Sequence, residues 1–349
     1  MTQVSVLMPV LNEEAGVAGA IASALAQSDH GVDVEVLVMN GPSVDATATI
    51  VAGLAAGDPR VRLLDNPVGT IPAALNIGLA AARGEFVARI DGHASVSSDY
   101  IARGVEHLRR DGGLAAVGGI RHGVASTSSG RAVALALSSP FGVGNSINHF
   151  GAEFCETDHA SFGVYRTQVA RDVGGWDEGL LVNEDVDFDH RILAAGHRIA
   201  FDPQMHIYWH VRESVADLFR QYRRYGRGKA AMVRKNGREA VRARHLAAPV
   251  AVAGTAGLAV VATRFPRLAA AAYAPYLLGV SAASVHAWRG RGEAASDPST
   301  PATSSTDVDP TSLPGAFMAM HYGWGLGFLE GYVLKKAPAQ SSARLPRTS

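Results

Sequence analysis

A carboxylate and an imidazole stand two residues apart in the segment GEFVARIDGHAS, where Asp91 and His93 directly follow an apolar, strand-like run. Asp and Gly are also ordinary turn residues, so a simple turn that ends the strand is the alternative. With one residue between them, both side chains can reach the same point. Carboxylate oxygen suits Mg²⁺ or Mn²⁺, and the added imidazole favours Mn²⁺. A pair of protein ligands suits an ion that also binds substrate phosphates and neutralises the charge of a departing diphosphate.

A second cluster of acids lies in NEDVDFDHRI, where Glu184 and Asp185 are followed by further aspartates. The first turn of a helix is the alternative explanation, since acids there complement the helix dipole without any catalytic role. The cluster follows GGWDEGLLV, a glycine-rich loop whose Trp176 we expect to be able to close over a substrate. A carboxylate beside such a loop is a candidate for deprotonating a hydroxyl nucleophile.

The elements that must position these residues alternate between short β-rich runs and helical stretches as far as about residue 205. The predicted strands are VSVLMPV, VEVLVMN, VRLLD and EFVARI, and the predicted helices between them are VAGAIASALAQ, DATATIVAGLAA and IPAALNIGLAAA. Continuous apolar strands separated by helices indicate an α/β fold with a mostly parallel sheet that is covered on both faces.

Ligands of such sheets gather beyond the carboxyl ends of the strands. The residues predicted at these ends are Pro9, Asn12, Glu13, Asn40, Ser43, Asp45, Asn66, Asp91 and His93. Together the strand ends would form one polar rim. This arrangement favours a ligand site over a simple turn at Asp91.

Composition narrows the class of protein. The formal net charge is zero, so no overall field favours nucleic acid as a partner. Charged residues make up only 18% of the chain, below the roughly 25% of soluble domains, which raises the question of a membrane segment. A single cysteine, Cys155, excludes an internal disulfide framework. The N-terminus lacks the basic and then apolar order of a signal peptide, so we expect the first domain to stay in the cytosol.

Apolar segments follow a basic run that extends from Arg220 to Arg244. Positive charge next to an apolar segment is typical of the cytoplasmic face of a membrane protein. The segments LAAPVAVAGTAGLAVVAT and LAAAAYAPYLLGVSAASVHAW each approach the ~20 apolar residues that span a bilayer. Because both are rich in alanine, a buried pair of soluble helices is the alternative.

We therefore predict a cytosolic catalytic domain at 1–245, which ends in a basic juxtamembrane helix, and a transmembrane helical hairpin at 246–288. Residues 289–312 have few core-forming side chains and are predicted to be a disordered linker. A third membrane or interfacial segment is expected at 313–336 and a tail at 337–349. The glycines of GWGLGFLEG are expected to reflect close helix packing.

The order of the motifs resembles that of family 2 glycosyltransferases with the GT-A fold, and most of all the succinoglycan-biosynthesis type of membrane-attached bacterial enzyme. The resemblance rests on VSVLMPVLNEE, NGPSVDAT, NPVGTIPAALNIGLAAARGEFVARIDGH, SPFGVGN, DHASFGVYR, GGWDEGLLVNEDVDFDHRI and QYRRYGRGK. The long third motif, which ends in Asp91 and His93, is the most specific of these. The resemblance implies a GT-A domain followed by C-terminal membrane helices.

The resemblance also implies roles for individual residues. Nucleotide binding falls to Pro9, Asn12, Glu13, Asn40, Asp45, Asn66 and Asp91. Asp91 and His93 occupy the metal position, Asp185 that of the catalytic base and Glu184 that of its acidic neighbour. The positions near the acceptor and the diphosphate are Asp158, Trp176, Gln221, Arg224 and Tyr225. Two departures from the family pattern, Asn40 for a usual Asp and Tyr225 for a usual Trp, bear on base preference and acceptor stacking.

The function that this resemblance implies is inverting transfer of a sugar from a nucleotide-diphosphate donor, UDP-linked, to a saccharide or lipid-linked acceptor. Exopolysaccharide or cell-envelope glycan synthesis is the expected setting. Mn²⁺ or Mg²⁺ is the implied cofactor. The plasma membrane is the implied location, with the catalytic domain cytoplasmic and a polyprenyl-linked acceptor within reach. The alternatives are a polyprenyl-phosphate glycosyltransferase and a non-catalytic, membrane-anchored nucleotide-binding protein.

Overall fold

The computed structural model of the chain describes residues 3–237, 244–296 and 307–335, with only the backbone described for 244 and 291–296. Its strands are β1 Val4–Val10, β2 Val34–Asn40, β3 Val61–Asp65, β4 Phe86–Arg89, β5 Ala94–Val96, β6 Leu114–Val124, β7 Cys155–Thr157, β8 Val164–Arg166 and β9 Arg198–His210. Its α-helices are α1 Val17–Leu25, α2 Thr47–Gly57, α3 Ile71–Ala81, α4 Tyr100–Arg110, α5 Ser128–Leu137, α6 Pro140–Val143, α7 Thr167–Asp172, α8 Glu184–Ala194, α9 Val215–Asn236, α10 Arg244–Ala262, α11 Pro266–Ser296 and α12 Ser312–Val333.

The strands form one mixed sheet in the order β3-β2-β1-β4-β8-β6-β9-β5, with β7 paired to β9. The pairs of β2 with β3, β1 with β2 and β1 with β4 are parallel, as the sequence predicts. Beyond β4 the pairs of β8 with β4 and β6, and of β9 with β5 and β7, are antiparallel. The expectation of a mostly parallel sheet is therefore corrected. Only the strands joined by crossover helices are parallel, since antiparallel neighbours need no such connection.

Helices cover both faces of the parallel part of the sheet. Alternate residues of β1 belong to two different core clusters, with Val6 and Met8 in one and Leu7 in the other. Because successive side chains of a strand point to opposite faces, this division means that apolar groups are buried on both sides. Ser5 of β1 and Glu35 of β2 are buried polar exceptions, and the Ser5 hydroxyl donates to the Glu35 carboxylate at 2.7 Å.

The described chain divides into two compact units. The first unit holds the described residues up to 121 together with Gly151–Trp209, and the second holds His122–Phe150 and the described residues from 210 onward. These units do not follow the boundary expected at 245, because α5, α6 and α9 group with the apolar helices. Helix α11 also continues to Ser296, so the first part of the predicted linker is helical. Residues 297–306 of that linker and the predicted tail lie outside the described residues.

In the second unit, α12 packs closely against α9. A Cβ atom added at Gly323 would lie 2.8 Å from the carbonyl oxygen of Phe219, and one added at Gly327 would meet the carbonyl of Arg223. The carboxylate of Glu330 accepts hydrogen bonds from the guanidinium groups of Arg223 and Arg227. The glycine-rich segment therefore serves close helix packing, as the sequence predicts, and part of the basic run is neutralised within this unit.

Two helices of the described chain are long and apolar enough to cross a membrane, His245–Ala262 with 18 residues and Pro266–Gly290 with 25. Large apolar side chains on them remain exposed in this structure, among them Val250, Val260 and Leu278. The length and composition expected for a helical pair are thus present, with the turn between the helices close to the predicted position.

Candidate active site

The loops that follow β1 and β2 are tied to each other by hydrogen bonds. The Asn12 side-chain oxygen accepts from the backbone N–H of Val44 at 2.8 Å. The Asp45 carboxylate accepts from the backbone N–H of Thr47 at 3.0 Å and from that of Glu14 at 3.2 Å. Burial raises the pKa of Asp45, but these bonds outweigh it and lower the pKa below its ordinary value. The two loops thus form one preorganised edge of the rim, which includes the predicted residues Asn12 and Asp45.

The other residues predicted to bind nucleotide differ in how their side chains are used. Pro9 is buried within β1, and Asn40 accepts a hydrogen bond from the Ser43 hydroxyl at 2.8 Å. Asn66 is buried, with its amide nitrogen donating to the Thr70 carbonyl at 3.1 Å and its oxygen accepting from the Gly69 N–H at 3.2 Å. The structure therefore corrects the role of Asn66, because both ends of its amide hold the loop that precedes α3.

Arg89 links the two acidic clusters that the sequence presents. Its Nε donates to Oδ1 of Asp91 at 2.8 Å and its Nη1 donates to Oε1 of Glu184 at 3.1 Å. Arg89 is the last residue of β4 and precedes Asp91 by two residues, and the two side chains lie within hydrogen-bond distance. Burial raises the pKa of Asp91, but the Arg89 charge outweighs it and keeps the pKa below its ordinary value. Sequence reasoning missed Arg89, although its spacing from Asp91 was a usable signal.

His93 contacts the predicted nucleotide residue Glu13. The distance between His93 Nδ1 and Glu13 Oε1 is 2.9 Å, and Glu13 Oε2 is buried without a hydrogen-bond partner among the described residues. This contact pairs the imidazole ring with a carboxylate. A carboxylate that holds a histidine in this way commonly orients a metal ligand.

Glu184 and Asp185 open helix α8 and face different surroundings. The Glu184 side chain is 7% exposed and pairs with Arg89, whereas the Asp185 side chain is 36% exposed. Burial and the adjacent Asp185 charge raise the pKa of Glu184 to about 7, although Arg89 opposes this. Burial also acts to raise the pKa of Asp185, but the charges of His159 and Arg89 outweigh it and lower the pKa. Asp185 is therefore an ionised and accessible carboxylate at neutral pH.

His159 lies between two carboxylates and was missed by the sequence reasoning. Its Nδ1 is 2.6 Å from Oδ2 of Asp189, and its Nε2 is 3.8 Å from Oδ2 of Asp185. Burial acts to lower the pKa of His159, but the bond to Asp189 and the charge of Asp185 outweigh it and raise the pKa. Asp189 is held in turn by the Tyr165 hydroxyl and the Ala160 N–H. Only the fold brings His159 to α8, since 30 residues separate it from Asp189 in the chain.

Backbone strain is concentrated around these groups. Asn12, Phe162 and Asn183 have positive φ angles of 57°, 50° and 61°, a region that side chains other than glycine rarely occupy. Asn12 belongs to the tied loops, Asn183 directly precedes Glu184, and Phe162 is two residues beyond Ala160. Strained residues persist where the surrounding structure holds them and are common at functional sites.

The predicted acceptor residues of the first unit are Asp158 and Trp176. Asp158 directly precedes His159 in the chain. The Trp176 ring, however, is buried and stacks on Phe188 with a centroid separation of 4.2 Å. The structure therefore corrects the expectation that this ring closes over a substrate, because the Trp176 side chain belongs to the core beneath α8.

The remaining predicted residues lie together on α9, in the second unit. The Gln221 amide nitrogen donates to the Tyr225 hydroxyl at 2.9 Å. Arg224 lies over the Tyr225 ring at 5.7 Å, and its Nε is buried without a hydrogen-bond partner in the described part of the chain. The (i, i+4) spacing brings Gln221 and Tyr225 to one face of the helix.

Comparison with known proteins gives consistent matches. Residues 5–173 match the family model described as glycosyl transferase family 2. The chain is 33% identical over 227 residues to the succinoglycan biosynthesis protein ExoA of Rhizobium meliloti, covering 64% of this chain and 68% of that protein. It is 23% identical over 242 residues to a dolichyl N-acetyl-alpha-D-glucosaminyl phosphate 3-beta-D-2,3-diacetamido-2,3-dideoxy-beta-D-glucuronosyltransferase of Methanococcus voltae, covering 67% of this chain and 75% of that protein.

The fold has a counterpart among solved structures. The mannosyltransferase PcManGT from Pyrobaculum calidifontis, solved in complex with GDP-Man and Mn²⁺, superposes with a TM-score of 0.61. The match covers 96% of this chain and 88% of that protein at 20% sequence identity. The predicted GT-A type of α/β fold is confirmed by this likeness.

Proposed function

The chain belongs to glycosyltransferase family 2, and from this membership and the geometry around Asp185 we propose that it is an inverting enzyme that uses a nucleotide-diphosphate sugar. UDP-linked sugar is the proposed donor. The proposed acceptor is a saccharide, free or lipid-linked, in the synthesis of an exopolysaccharide or cell-envelope glycan. The observation that carries the proposal is an ionised, accessible Asp185 next to a buried Glu184 that Arg89 connects to Asp91.

Asp185 is proposed as the general base. An acceptor hydroxyl gives its proton to the Asp185 carboxylate while its oxygen bonds to the anomeric carbon of the donor. The bond between that carbon and the diphosphate oxygen breaks, and the electron pair leaves with the diphosphate. A single displacement inverts the configuration. The lowered pKa of Asp185 keeps the carboxylate ionised before the reaction, and the bond from the Val186 N–H at 2.8 Å fixes its orientation.

The tied loops after β1 and β2 are proposed to hold the nucleotide. Asn12 and Asp45 use their side-chain oxygens to fix backbone N–H groups, so the shape of the loops is set before the donor binds. Asn40 provides an amide carbonyl near the end of β2, and a carbonyl can accept from the ring N–H of uracil. Preorganisation of this kind reduces the entropy that binding must overcome.

A divalent cation, Mn²⁺ or Mg²⁺, fits the residues at the end of β4. No set of three or more His, Cys, Asp or Glu side chains suited to an ion occurs in the described ranges, so the protein would provide a small part of the coordination. Asp91 and His93 would hold the ion, and the unpartnered Oε2 atom belongs to the Glu13 carboxylate that contacts His93. When bound, such an ion supplies positive charge that stabilises a departing diphosphate.

Attachment to the cytoplasmic face of the plasma membrane is part of the proposal. Helices α10 and α11 have the length and composition of membrane spans, and exposed apolar side chains on them favour contact with lipid. The name of the M. voltae relative describes transfer to a sugar that is linked to dolichyl phosphate. A polyprenyl-linked sugar is therefore the acceptor class that we propose.

The test of the proposal is a donor screen. The full chain, solubilised in detergent, is incubated with a panel of UDP-, GDP- and TDP-sugars with Mn²⁺ or Mg²⁺, and released nucleotide is measured. We expect release with at least one UDP-sugar, and inverted stereochemistry in the product. Binding of nucleotide sugar without turnover would support a non-catalytic protein instead. A product formed directly on polyprenyl phosphate would favour the polyprenyl-phosphate glycosyltransferase.

The metal requirement has its own test. Removal of divalent cations with EDTA should abolish release, and Mn²⁺ or Mg²⁺ should restore it. Asp91→Ala should lose most activity at every metal concentration, because it removes a proposed ligand and the partner of Arg89. Full activity in the presence of the chelator would contradict the proposed role of the cation.

A further inference from the structure

Arg121, on β6, is a cation of the first unit that the proposed mechanism does not yet use. Its guanidinium carbon lies 4.3 Å from the centroid of the Trp209 ring and 6.0 Å from that of Phe162. Its Nε atom is buried and has no hydrogen-bond partner among the described residues. A buried N–H without an acceptor costs free energy, so the arrangement is expected only where a ligand supplies the acceptor or a function requires the cost.

The aromatic neighbours of Arg121 place it beside the acidic site. Trp209 pairs across the sheet with Ala94, the residue that follows His93. Phe162 precedes Gly163, whose carbonyl accepts from the backbone N–H of Arg89 at 3.2 Å. The Arg121 guanidinium is therefore held between two rings that flank the segment from Arg89 to His93. In agreement, its charge helps to lower the pKa values of both Asp91 and Asp185, although other groups contribute more.

The two arginines of the site are used differently. Arg89 donates from Nε and Nη2 to Asp91 and from Nη1 to Glu184, so its hydrogen-bonding capacity is directed at the protein. Arg121 instead contacts the faces of Trp209 and Phe162, which hold the planar group without consuming its donors. A guanidinium is a planar fork of N–H donors that matches the oxygens of a phosphate.

We propose that Arg121 is an anion-binding residue that donates hydrogen bonds to a substrate phosphate group. The inference rests on the proposed function and extends it, since the phosphate is either the donor diphosphate or the lipid phosphate of the acceptor. For the donor, the phosphate oxygen that receives the electron pair when the glycosidic bond breaks gains negative charge. An N–H donor already in place stabilises that charge without reorganisation.

The test compares Arg121→Gln and Arg121→Lys with wild type in the full, detergent-solubilised chain. Isothermal titration with UDP and with UMP, at fixed Mn²⁺, measures how much affinity the second phosphate provides. We expect Arg121→Gln to weaken UDP binding about 10- to 100-fold and UMP binding much less, with Arg121→Lys between the two. Arg109→Gln is the matched control, because Arg109 also lies over an aromatic ring, Phe86, at 5.7 Å.

A second arm distinguishes the two sources of phosphate. In one outcome, Arg121→Gln leaves UDP affinity unchanged and raises the KM for a polyprenyl-phosphate-linked acceptor about tenfold or more. If the KM for the corresponding free saccharide does not change, the phosphate that Arg121 binds is that of the acceptor. If neither quantity changes in Arg121→Gln while its melting temperature falls, Arg121 only supports the fold and the inference is overturned. If wild type binds no nucleoside diphosphate and transfers no sugar, the proposed function fails and the inference fails with it.

Discussion

The two sides of the rim use their polar groups in opposite ways. In the loops after β1 and β2, Asn12 and Asp45 accept from backbone N–H groups, and each contact completes a local hydrogen-bond requirement. Around α8, the ion pair of Arg89 with Glu184 coexists with Arg121, whose Nε has no hydrogen-bond partner among the described residues. The comparison indicates that hydrogen bonds fix the shape of the loops after β1 and β2. The groups around α8, in contrast, retain charge and hydrogen-bonding capacity for a ligand.

The largest expected effect lies on the charged side. Asp185→Asn removes the proposed base while preserving size, so transfer should fall about 10³-fold with little change in melting temperature. Nucleotide release in the presence of acceptor measures it. Asp172→Asn is the control, because Asp172 is exposed on α7 and its carboxylate accepts a hydrogen bond from the Gln168 amide at 2.7 Å. A variant Asp185→Asn with near-normal rates would contradict the assignment of the base.

Arg89, which connects the two acidic clusters, is expected to stabilise the fold as well. Arg89→Gln leaves Asp91 and Glu184 without their shared cation, and loss of one partner from a buried pair costs about 3–5 kcal/mol. Denaturant unfolding measures the difference in free energy.

The matched control is again Arg109→Gln, because the pair of Arg109 with Glu85 is exposed. We expect that control to change stability by less than about 1 kcal/mol. Equal effects of the two substitutions would mean that Arg89 is an ordinary surface cation and not the connection between the clusters.

A pH series sharpens the comparison further. The pKa of His159 is raised above 6.5, so the folded state binds its proton more tightly than the unfolded state. The stability from this pair is fully present below pH 6.5 and is lost as the pH rises through the folded pKa. His159 faces Asp189 and Asp185, which favour its proton, and Arg121, which opposes it.

Melting temperatures of wild type and His159→Gln between pH 6 and 9 provide the measurement. The pKa of Glu184 is about 7, so both proteins also lose stability from Glu184 as the pH rises. Only the difference between the two profiles therefore reports on His159. We expect that difference to shrink as the pH rises. Parallel profiles across the whole range would rule out a protonated His159.

The smallest effect is expected in the tied loops. Asp45→Ala removes an acceptor for Thr47 and Glu14, and should cost about 1 kcal/mol of stability. The KM for the donor should rise a few-fold with kcat unchanged, because loop shape affects binding but not the chemical step. Asp58→Ala is the control, since Asp58 caps the Arg60 N–H before β3, at the opposite end of that strand from the rim. A large fall in kcat for Asp45→Ala would contradict the proposal that the tied loops affect donor binding and not the chemical step.

Much of the first unit follows from local pattern. The apolar runs at β1, β2 and β3 and the helices between them occur where periodicity predicts, because each is long enough for its own hydrophobic pattern to decide the structure. The antiparallel strands beyond β4 were not predicted. Strands of three residues, such as β7 and β8, carry too little pattern to be recognised and are defined by their neighbours in the sheet.

The sequence by itself determined which residue types are available for chemistry and where the parallel strands end. Its motifs and hydrophobic periodicity identified the candidate site residues Asp91, His93, Glu184 and Asp185. Tertiary structure alone decided which side chains meet. The Trp176 ring packs in the core against Phe188, and the Asn66 amide donates to its own loop. Three basic side chains lie near the acidic residues of the site, namely Arg89, His159 and Arg121. The physical reason is that burial, ion pairing and stacking depend on contacts between residues far apart in the chain, which local pattern does not encode.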